Sequence, residues 1–241
     1  MLWHHRLGHP SFLYLKHLFP TLFKNIDCSF FHCESCYLSK SQCATFLSKP
    51  YLATKPFYLI HSDVWGPFRV TTSTRKKWFV TFIDDHTRLC WIYLMSEKSE
   101  FKKLFKDFYT MVENQFQRKI CIFHSDNGSE YVNELLGKFL KEKGIQHQST
   151  CRDTPQQNGI TERKNKHLLE VARTIMFYMN VPKYLWGDVV LTACYLINRM
   201  PTHDLKYMTP LGCFKIFFPK TQIYSDLPQS LQLCCFCLHT Q

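Results

Sequence analysis

Three carboxylates and a set of imidazoles and thiols are the residues of this 241-residue chain whose types and spacing suit chemistry. Asp63 lies in His61-Ser62-Asp63-Val64-Trp65-Gly66-Pro67 and Asp126 in His124-Ser125-Asp126-Asn127-Gly128-Ser129-Glu130. Glu162 follows the amide-rich stretch Asp153-Thr154-Pro155-Gln156-Gln157-Asn158-Gly159, with 35 residues between Asp126 and Glu162. Two acids at neighbouring strand ends and a third at the start of a helix can converge on one point. Hard divalent cations such as Mg²⁺ or Mn²⁺ take oxygen ligands and keep waters, so a few carboxylates hold them. A pair of such ions activates a nucleophile and steadies the leaving oxygen in phosphodiester chemistry. Without a cation the three acids repel, and at least one binds a proton. Two of the acids also have an ordinary use: Asp126-Asn127-Gly128 as a turn, Glu162 as a first-turn helix acid. Asp84 and Asp85, at the end of another strand, read as supporting or turn residues and not as ligands.

The second set is N-terminal. His4 and His9 have four residues between them, Cys33 and Cys36 have two, and 23 residues separate the pairs. Two imidazoles and two thiolates make a closed tetrahedral Zn²⁺ site, and Cys-x2-Cys is a usual knuckle spacing. A segment of roughly 40 residues cannot bury enough apolar surface to fold alone, so a metal would supply the missing stability. His5, His32 and Cys28 compete for the same role on spacing alone. Cys213, Cys234, Cys235 and Cys237 read as packing and not as a second metal cluster.

The elements that must position these groups show in the hydrophobic patterning. Strand-like runs cover 57–64, 77–83, 88–95, 119–124 and 145–149, alternating after the third with helical text. This order predicts an α/β fold: a mixed five-stranded sheet with helices packed on it. The first helix is expected over 97–116, with Ser96 as N-cap and Phe101, Leu104, Phe105, Phe108, Met111 and Val112 inward. A shorter helix covers 134–143 and stops at Gly144. A third runs over 159–179 with Val171, Ala172, Ile175 and Met176 inward. An apolar helix follows Pro182 and closes before Pro201. The last 30 or so residues receive no element.

Composition bounds the reading. Hydrophobic residues at 45% and charged residues at 20% exclude a disordered chain. Thirty Lys and Arg against 19 Asp and Glu leave a net charge of +11, spread along the chain, which favours a polyanionic partner, nucleic acid before membrane. The 12 Cys are too sparse and scattered for a small disulfide scaffold, so a reduced, intracellular setting is expected. No signal-peptide start and no long apolar run is seen, so a soluble chain without a membrane span is expected.

The strings His-Ser-Asp-Val-Trp-Gly-Pro, Ser-Asp-Asn-Gly-Ser-Glu-Tyr and Pro-Gln-Gln-Asn-Gly-Ile-Thr-Glu-Arg-Lys-Asn resemble the catalytic core of copia-type retrotransposon integrases. The likeness extends to Phe82-Ile83-Asp84-Asp85-His86-Thr87-Arg88 and to Thr192-Ala193-Cys194-Tyr195-Leu196-Ile197-Asn198-Arg199. It implies a ribonuclease H-like fold with helices on both faces of the sheet, and a catalytic, metal-binding triad of Asp63, Asp126 and Glu162. Leu-Trp-His-His-Arg-Leu-Gly-His-Pro-Ser resembles the zinc segment that precedes such cores, and selects His4, His9, Cys33 and Cys36. The implied organisation is a helical zinc-binding domain at 1–50, a core with a helical continuation at 56–220, and a drifted or truncated tail at 221–241. Two departures are mild: Thr161 stands where the family usually has a small apolar residue, and Ser39 where it often has Gly.

The activity the resemblance implies is 3′-end processing of retroelement DNA followed by strand transfer into target DNA. It also implies Mg²⁺ or Mn²⁺ at the triad, structural Zn²⁺, a homo-oligomer, and work in the nucleus and a cytoplasmic particle. Lys166, one turn after Glu162 on the same helix face, is placed to hold a DNA phosphate, with Asn158 and Asn165 nearby. Its ordinary use is an i,i+4 pair with Glu162. The competing expectation is a decayed or co-opted remnant that binds DNA or protein without catalysis, suggested by the drifted tail and by the lack of protease and reverse-transcriptase text on either side.

Overall fold

The computed structural model describes residues 2–23, 31–39, 55–131, 133–149 and 159–220. In chain order the first elements are α1 (Leu2–Arg6), α2 (Phe12–Leu18) and α3 (Glu34–Ser39). The strands β1 (Leu59–Trp65), β2 (Trp78–Asp84) and β3 (Cys90–Met95) follow, then α4 (Phe101–Phe116), β4 (Ile122–Ser125), α5 (Glu134–Glu142) and β5 (Gln146–Ser149). The described chain closes with α6 (Gly159–Tyr178), α7 (Trp186–Ile197) and α8 (Pro210–Phe217). These elements divide into two compact units, Ala53–Lys166 and the combination of Met1–Leu52 with His167–Gln241.

The Ala53–Lys166 unit is built on a five-stranded mixed sheet in the order β3-β2-β1-β4-β5. β1, β2 and β3 are antiparallel neighbours, whereas β1, β4 and β5 run parallel. Parallel neighbours need a crossover connection, and α4 and α5 supply the two. Side chains alternate across a strand, so Ile60 and Ser62 share one face of the sheet while His61 and Asp63 share the other.

The Ile60 face is covered by α4. Phe101, Phe105, Phe108, Tyr109, Val112 and Phe116 are buried at helical spacing. Phe108 stacks on Phe82 at 4.5 Å, and Phe105 meets Phe123 at 4.5 Å. Phe139 of α5 lies edge-on to Phe105 and Tyr109, which ties the two helices together. This aromatic core holds β1 and β4, the strands that end next to the acids.

Two details differ from the sequence-based expectation. Ser96 is not the N-cap: the helical region opens with a single 3-10 turn, Lys98–Glu100, capped by Glu97. The reason is Glu100, whose Oε1 accepts the backbone N–H of both Ser96 and Glu97 and whose Oε2 pairs with Lys76 at 3.1 Å. Leu104 and Met111 are half-buried, whereas Tyr109 and Phe116 are fully inward. α5 starts as expected, with Asn133 accepting the Leu135 N–H.

In the other unit α1, α2 and α3 group with α7, α8 and the part of α6 from His167 onward. The helices after His167 thus cluster with the N-terminal segment. Gly8 accounts for part of this: its φ is +75°, and a Cβ there would stand 2.8 Å from Leu196 and 3.0 Å from Val171. The apolar α7 buries Trp186, Val189, Val190, Ala193 and Ile197. α8, which the sequence reading left without an element, is opened by Thr209, whose hydroxyl accepts the Gly212 N–H, with Pro210 in the first turn. The tail at 221–241, with Cys234, Cys235 and Cys237, lies outside the described residues. Among the described residues no helix is long and apolar enough to cross a membrane.

Candidate functional site

Asp63 stands near the end of β1, opposite Thr81 of β2, whose hydroxyl donates to the Asp63 carbonyl at 3.3 Å. β4 is the parallel neighbour on the other side, with His61 paired to His124. Asp63 and Asp126 each come two residues after that pair, so the register brings both to the same edge and face of the sheet. Asp126 also forms the turn its neighbours advertise: its Oδ1 accepts the Gly128 N–H at 3.0 Å. The turn and the site are therefore one structure.

Glu162 sits in the first turn of α6 and is exposed. One turn on, Asn165 is 3% exposed, and its Nδ2 donates to Asp63 Oδ2 at 2.6 Å. This bond fixes the start of α6 against β1. The Asp63 carboxyl is raised to about 6, chiefly by burial, with the charges of Asp126 and Glu162 adding to it and the Asn165 hydrogen bond opposing it. An acid that ionises reluctantly near two other acids gains most from a cation, and carboxylates are the donor type a hard divalent ion takes, although among the described residues only the His/Cys group closes to metal-ligand distances. Lys166 is exposed on the same stretch of helix, and Asn158 lies outside the described residues.

Beyond Asp84 and Asp85, several supporting residues are not predicted by the sequence. His61 Nε2 lies 3.0 Å from Asp85 Oδ1, which also accepts from Arg88 at 2.9 Å. Burial alone would lift Asp85, but the His61 bond and the Arg88 charge outweigh it and hold its carboxyl low. Asp84 is fully buried and accepts from the Phe57 N–H and from the Thr87 N–H and hydroxyl. Both acids thus serve the scaffold, as expected. His124 is pushed down to about 4 by burial, then by His61 and His147, and is neutral at pH 7. Ser62 Oγ meets the Tyr131 hydroxyl at 3.3 Å, and Lys98 pairs with Glu130. The adjacency of His61, Ser62 and Glu130 to Asp63 and Asp126 was the available signal, but their partners are 24, 69 and 32 residues away in sequence.

The N-terminal cluster forms within its own unit. One ligand atom from each of His4, His9, Cys33 and Cys36 lies within 4.8 Å of the others. Cys36 Sγ is 3.3 Å from His4 Nε2 and 3.5 Å from His9 Nδ1, and His9 Nδ1 is 3.1 Å from Cys33 Sγ. Ligand–metal bonds of about 2.0–2.3 Å in a tetrahedron place neighbouring ligands about 3.5 Å apart, so the spacing suits one zinc ion. His4 Nδ1 lies 2.9 Å from the Pro10 carbonyl, a bond that fixes its tautomer with Nε2 facing the sulfur. Among the described competitors, His5 and His32 are not part of the cluster, and Cys28 lies outside the described residues.

Comparison with known proteins adds families to this geometry. Residues 53–155 match the integrase core domain and residues 1–41 the GAG-pre-integrase domain. The chain is 37% identical over 230 residues to the retrovirus-related Pol polyprotein from transposon RE2 of Arabidopsis thaliana, covering 93% of this chain and 15% of that polyprotein. It is 35% identical over 215 residues to the corresponding polyprotein from transposon TNT 1-94 of Nicotiana tabacum, covering 87% of this chain and 16% of that one. The chain thus spans about one sixth or less of the length of these relatives. Among solved structures, the HTLV-2 integrase catalytic core domain in complex with magnesium, in its trimeric form, superposes with a TM-score of 0.50 at 14% identity. That match covers 66% of this chain and 97% of the viral one, and it shows the shared fold.

Proposed function

We propose that this chain, which matches the GAG-pre-integrase domain at residues 1–41 and the integrase core domain at 53–155 and is similar to copia-type retrotransposon Pol polyproteins, acts as a DNA integrase. The substrates in this reading are the ends of a retroelement DNA and a target DNA. Water is the first nucleophile, cutting the DNA end to free a 3′-hydroxyl. That hydroxyl then attacks a target phosphodiester, forming the new P–O bond as the target strand's own 3′-oxygen leaves.

The observation that carries the proposal is the Asp63 carboxyl, raised to about 6 by burial and by the facing charges of Asp126 and Glu162, while Asn165 holds one of its oxygens. Divalent cations, when bound, supply Lewis-acid activation of the nucleophile and stabilise the leaving oxygen. Asp63 and Asp126 bind them from the sheet edge and Glu162 from the helix, with Asn165 setting the rotamer of Asp63. Lys166 holds a phosphate of the DNA backbone, a contact that positions without reading sequence. His4, His9, Cys33 and Cys36 hold one structural Zn²⁺ that fixes the N-terminal helices. A homo-oligomer, and passage from a cytoplasmic particle to the nucleus where target DNA lies, belong to the same reading.

The experiment is a DNA-joining assay on labelled oligonucleotides with the full chain, with Mn²⁺ or Mg²⁺ present and absent. Joined product that requires the cation and all three acids supports the reading.

A further inference from the structure

We propose that Lys98, Glu130 and Gly128 form a clamp that sets the Asp126 carboxylate for cation binding, an inference that rests on the integrase reading of the acidic site. Glu130 comes four residues after Asp126, and its side chain is 2% exposed. Both of its carboxylate oxygens accept from Lys98 Nζ, at 3.0 and 3.1 Å. Lys98 belongs to the 3-10 turn before α4, 32 residues earlier, and its Nζ lies 4.8 Å from the centre of the Trp78 ring on β2. A loop acid is thereby fastened to a different part of the scaffold.

A buried carboxylate is a poor way to gain stability. Its desolvation offsets much of what an ion pair returns, and an apolar pair of similar size often does as well. What Glu130 touches gives it another use. Its carboxyl group packs directly on Gly128: a Cβ at that position would stand 2.7 Å from Glu130 Cδ and 2.9 Å from each carboxylate oxygen. Glycine at 128 leaves the room in which the Glu130 carboxyl lies, so a side chain there would have to push that carboxyl out of its place beside Lys98.

Gly128 in turn donates its N–H to Asp126 Oδ1 at 3.0 Å, and its carbonyl accepts the Tyr131 N–H at 3.0 Å. The path runs from Lys98, which holds Glu130, to the Glu130 carboxyl lying against the bare Cα of Gly128, and on to the Gly128 N–H, which donates to one oxygen of Asp126. The Tyr131 hydroxyl, 3.3 Å from Ser62 Oγ, fastens the other end of the loop next to Asp63. Partners behind a metal ligand orient it and tune its affinity. Lys98 and Glu130 act through Asp126 and are positioning residues.

The test is a Mn²⁺ titration of the zinc-loaded full chain, reading the free ion by electron paramagnetic resonance, with DNA joining measured alongside. Lys98→Met and Gly128→Ala weaken Mn²⁺ binding about tenfold or more, the usual loss on removing an outer partner of a metal ligand. Lys98→Arg keeps the wild-type affinity, a rescue that a general loss of packing would not show. Glu130→Gln keeps the shape of the side chain and serves where Lys98→Met fails to fold. It weakens Mn²⁺ binding less than Gly128→Ala does. Folded variants that bind Mn²⁺ as the wild type does overturn the clamp, and if the wild type still joins DNA, the integrase reading survives that result. Variants that lose Mn²⁺ in a chain that never joins DNA leave the clamp standing and remove the integrase reading instead.

Discussion

The side-chain amide of Asn165 donates to the Asp63 carboxylate at 2.6 Å, joining two residues 102 positions apart and bringing the first turns of α6 to the end of β1. A hydrogen bond to an ionised group favours the charged form, here against the burial that lifts the Asp63 carboxyl to about 6. Asn165→Leu removes that support. The pH midpoint of Mn²⁺ binding should then move upward from its wild-type value, with the fold unchanged by circular dichroism. An unchanged midpoint would show that the bond does not govern Asp63.

Asp63 also links metal to stability. Its folded value is raised above the ordinary carboxylate range, so the folded state binds the proton more tightly than the unfolded chain. This contribution favours folding at low pH and is lost as pH rises from about 4 through about 6. Asp63→Asn should therefore raise the melting temperature of the metal-free protein at pH 7, by about 2–4 °C for each kcal/mol recovered. The same substitution should remove the extra stabilisation that Mn²⁺ gives the wild type at that pH. His124 acts with the opposite sign. Its value of about 4 lies below that of an unfolded histidine, so the stability it carries at neutral pH is lost as pH falls from about 6.5 towards 4. Melting curves from pH 4 to 8 separate the two when Asp63→Asn and His124→Phe are compared with the wild type.

The His/Cys cluster predicts one zinc per chain, measured by atomic emission on protein purified without chelator. Cys36→Ser removes a ligand atom that lies within 3.3–3.5 Å of two imidazole nitrogens and should empty the site. Helical signal from the N-terminal segment should fall with it, because a closed zinc site contributes folding energy directly. Full zinc content in Cys36→Ser would exclude the four-ligand assignment.

Lys166 should contribute to DNA affinity without contributing to sequence preference. Lys166→Ala lowers affinity about equally for unrelated duplexes and reduces the slope of log K against log salt by about one, as the loss of a single phosphate contact does. A change confined to one sequence would assign Lys166 to base contact instead.

Much of this was legible in the chain because period and turn chemistry are local. The five strands were readable from their alternation, and Asp126-Asn127-Gly128 from its turn residues. The span of α4 was readable from its aromatic repeat, although its cap was not: Glu97 and Glu100 answer each other's backbone, and Lys76 holds Glu100 from another strand end. Tyr109 is inward because Phe139 of α5 lies across it, a contact no single helix pattern contains. α8 is only eight residues long, too short for its period to register. In the site, the three acids and the His4, His9, Cys33 and Cys36 cluster stand in recognisable motif strings. Glu130 stood in one of those strings without a role, since its role depends on Lys98 and on the bare Cα of Gly128. The grouping of residues after His167 with the N-terminal segment includes close packing of Leu196 and Val171 on Gly8, which no local pattern reveals.

Asp63, Asp126 and Glu162 are proposed to bind together the cation that drives DNA joining. Strand transfer by the full chain in Mn²⁺ or Mg²⁺, compared with Asp126→Asn, Asp63→Asn and Glu162→Gln in the same assay, tests it most directly. Cation-dependent joined product is expected from the wild type, with loss of that product in all three variants, each still folded and zinc-loaded. Joining retained in Asp126→Asn, or a folded wild type that binds DNA and metal but joins no substrate, would contradict it.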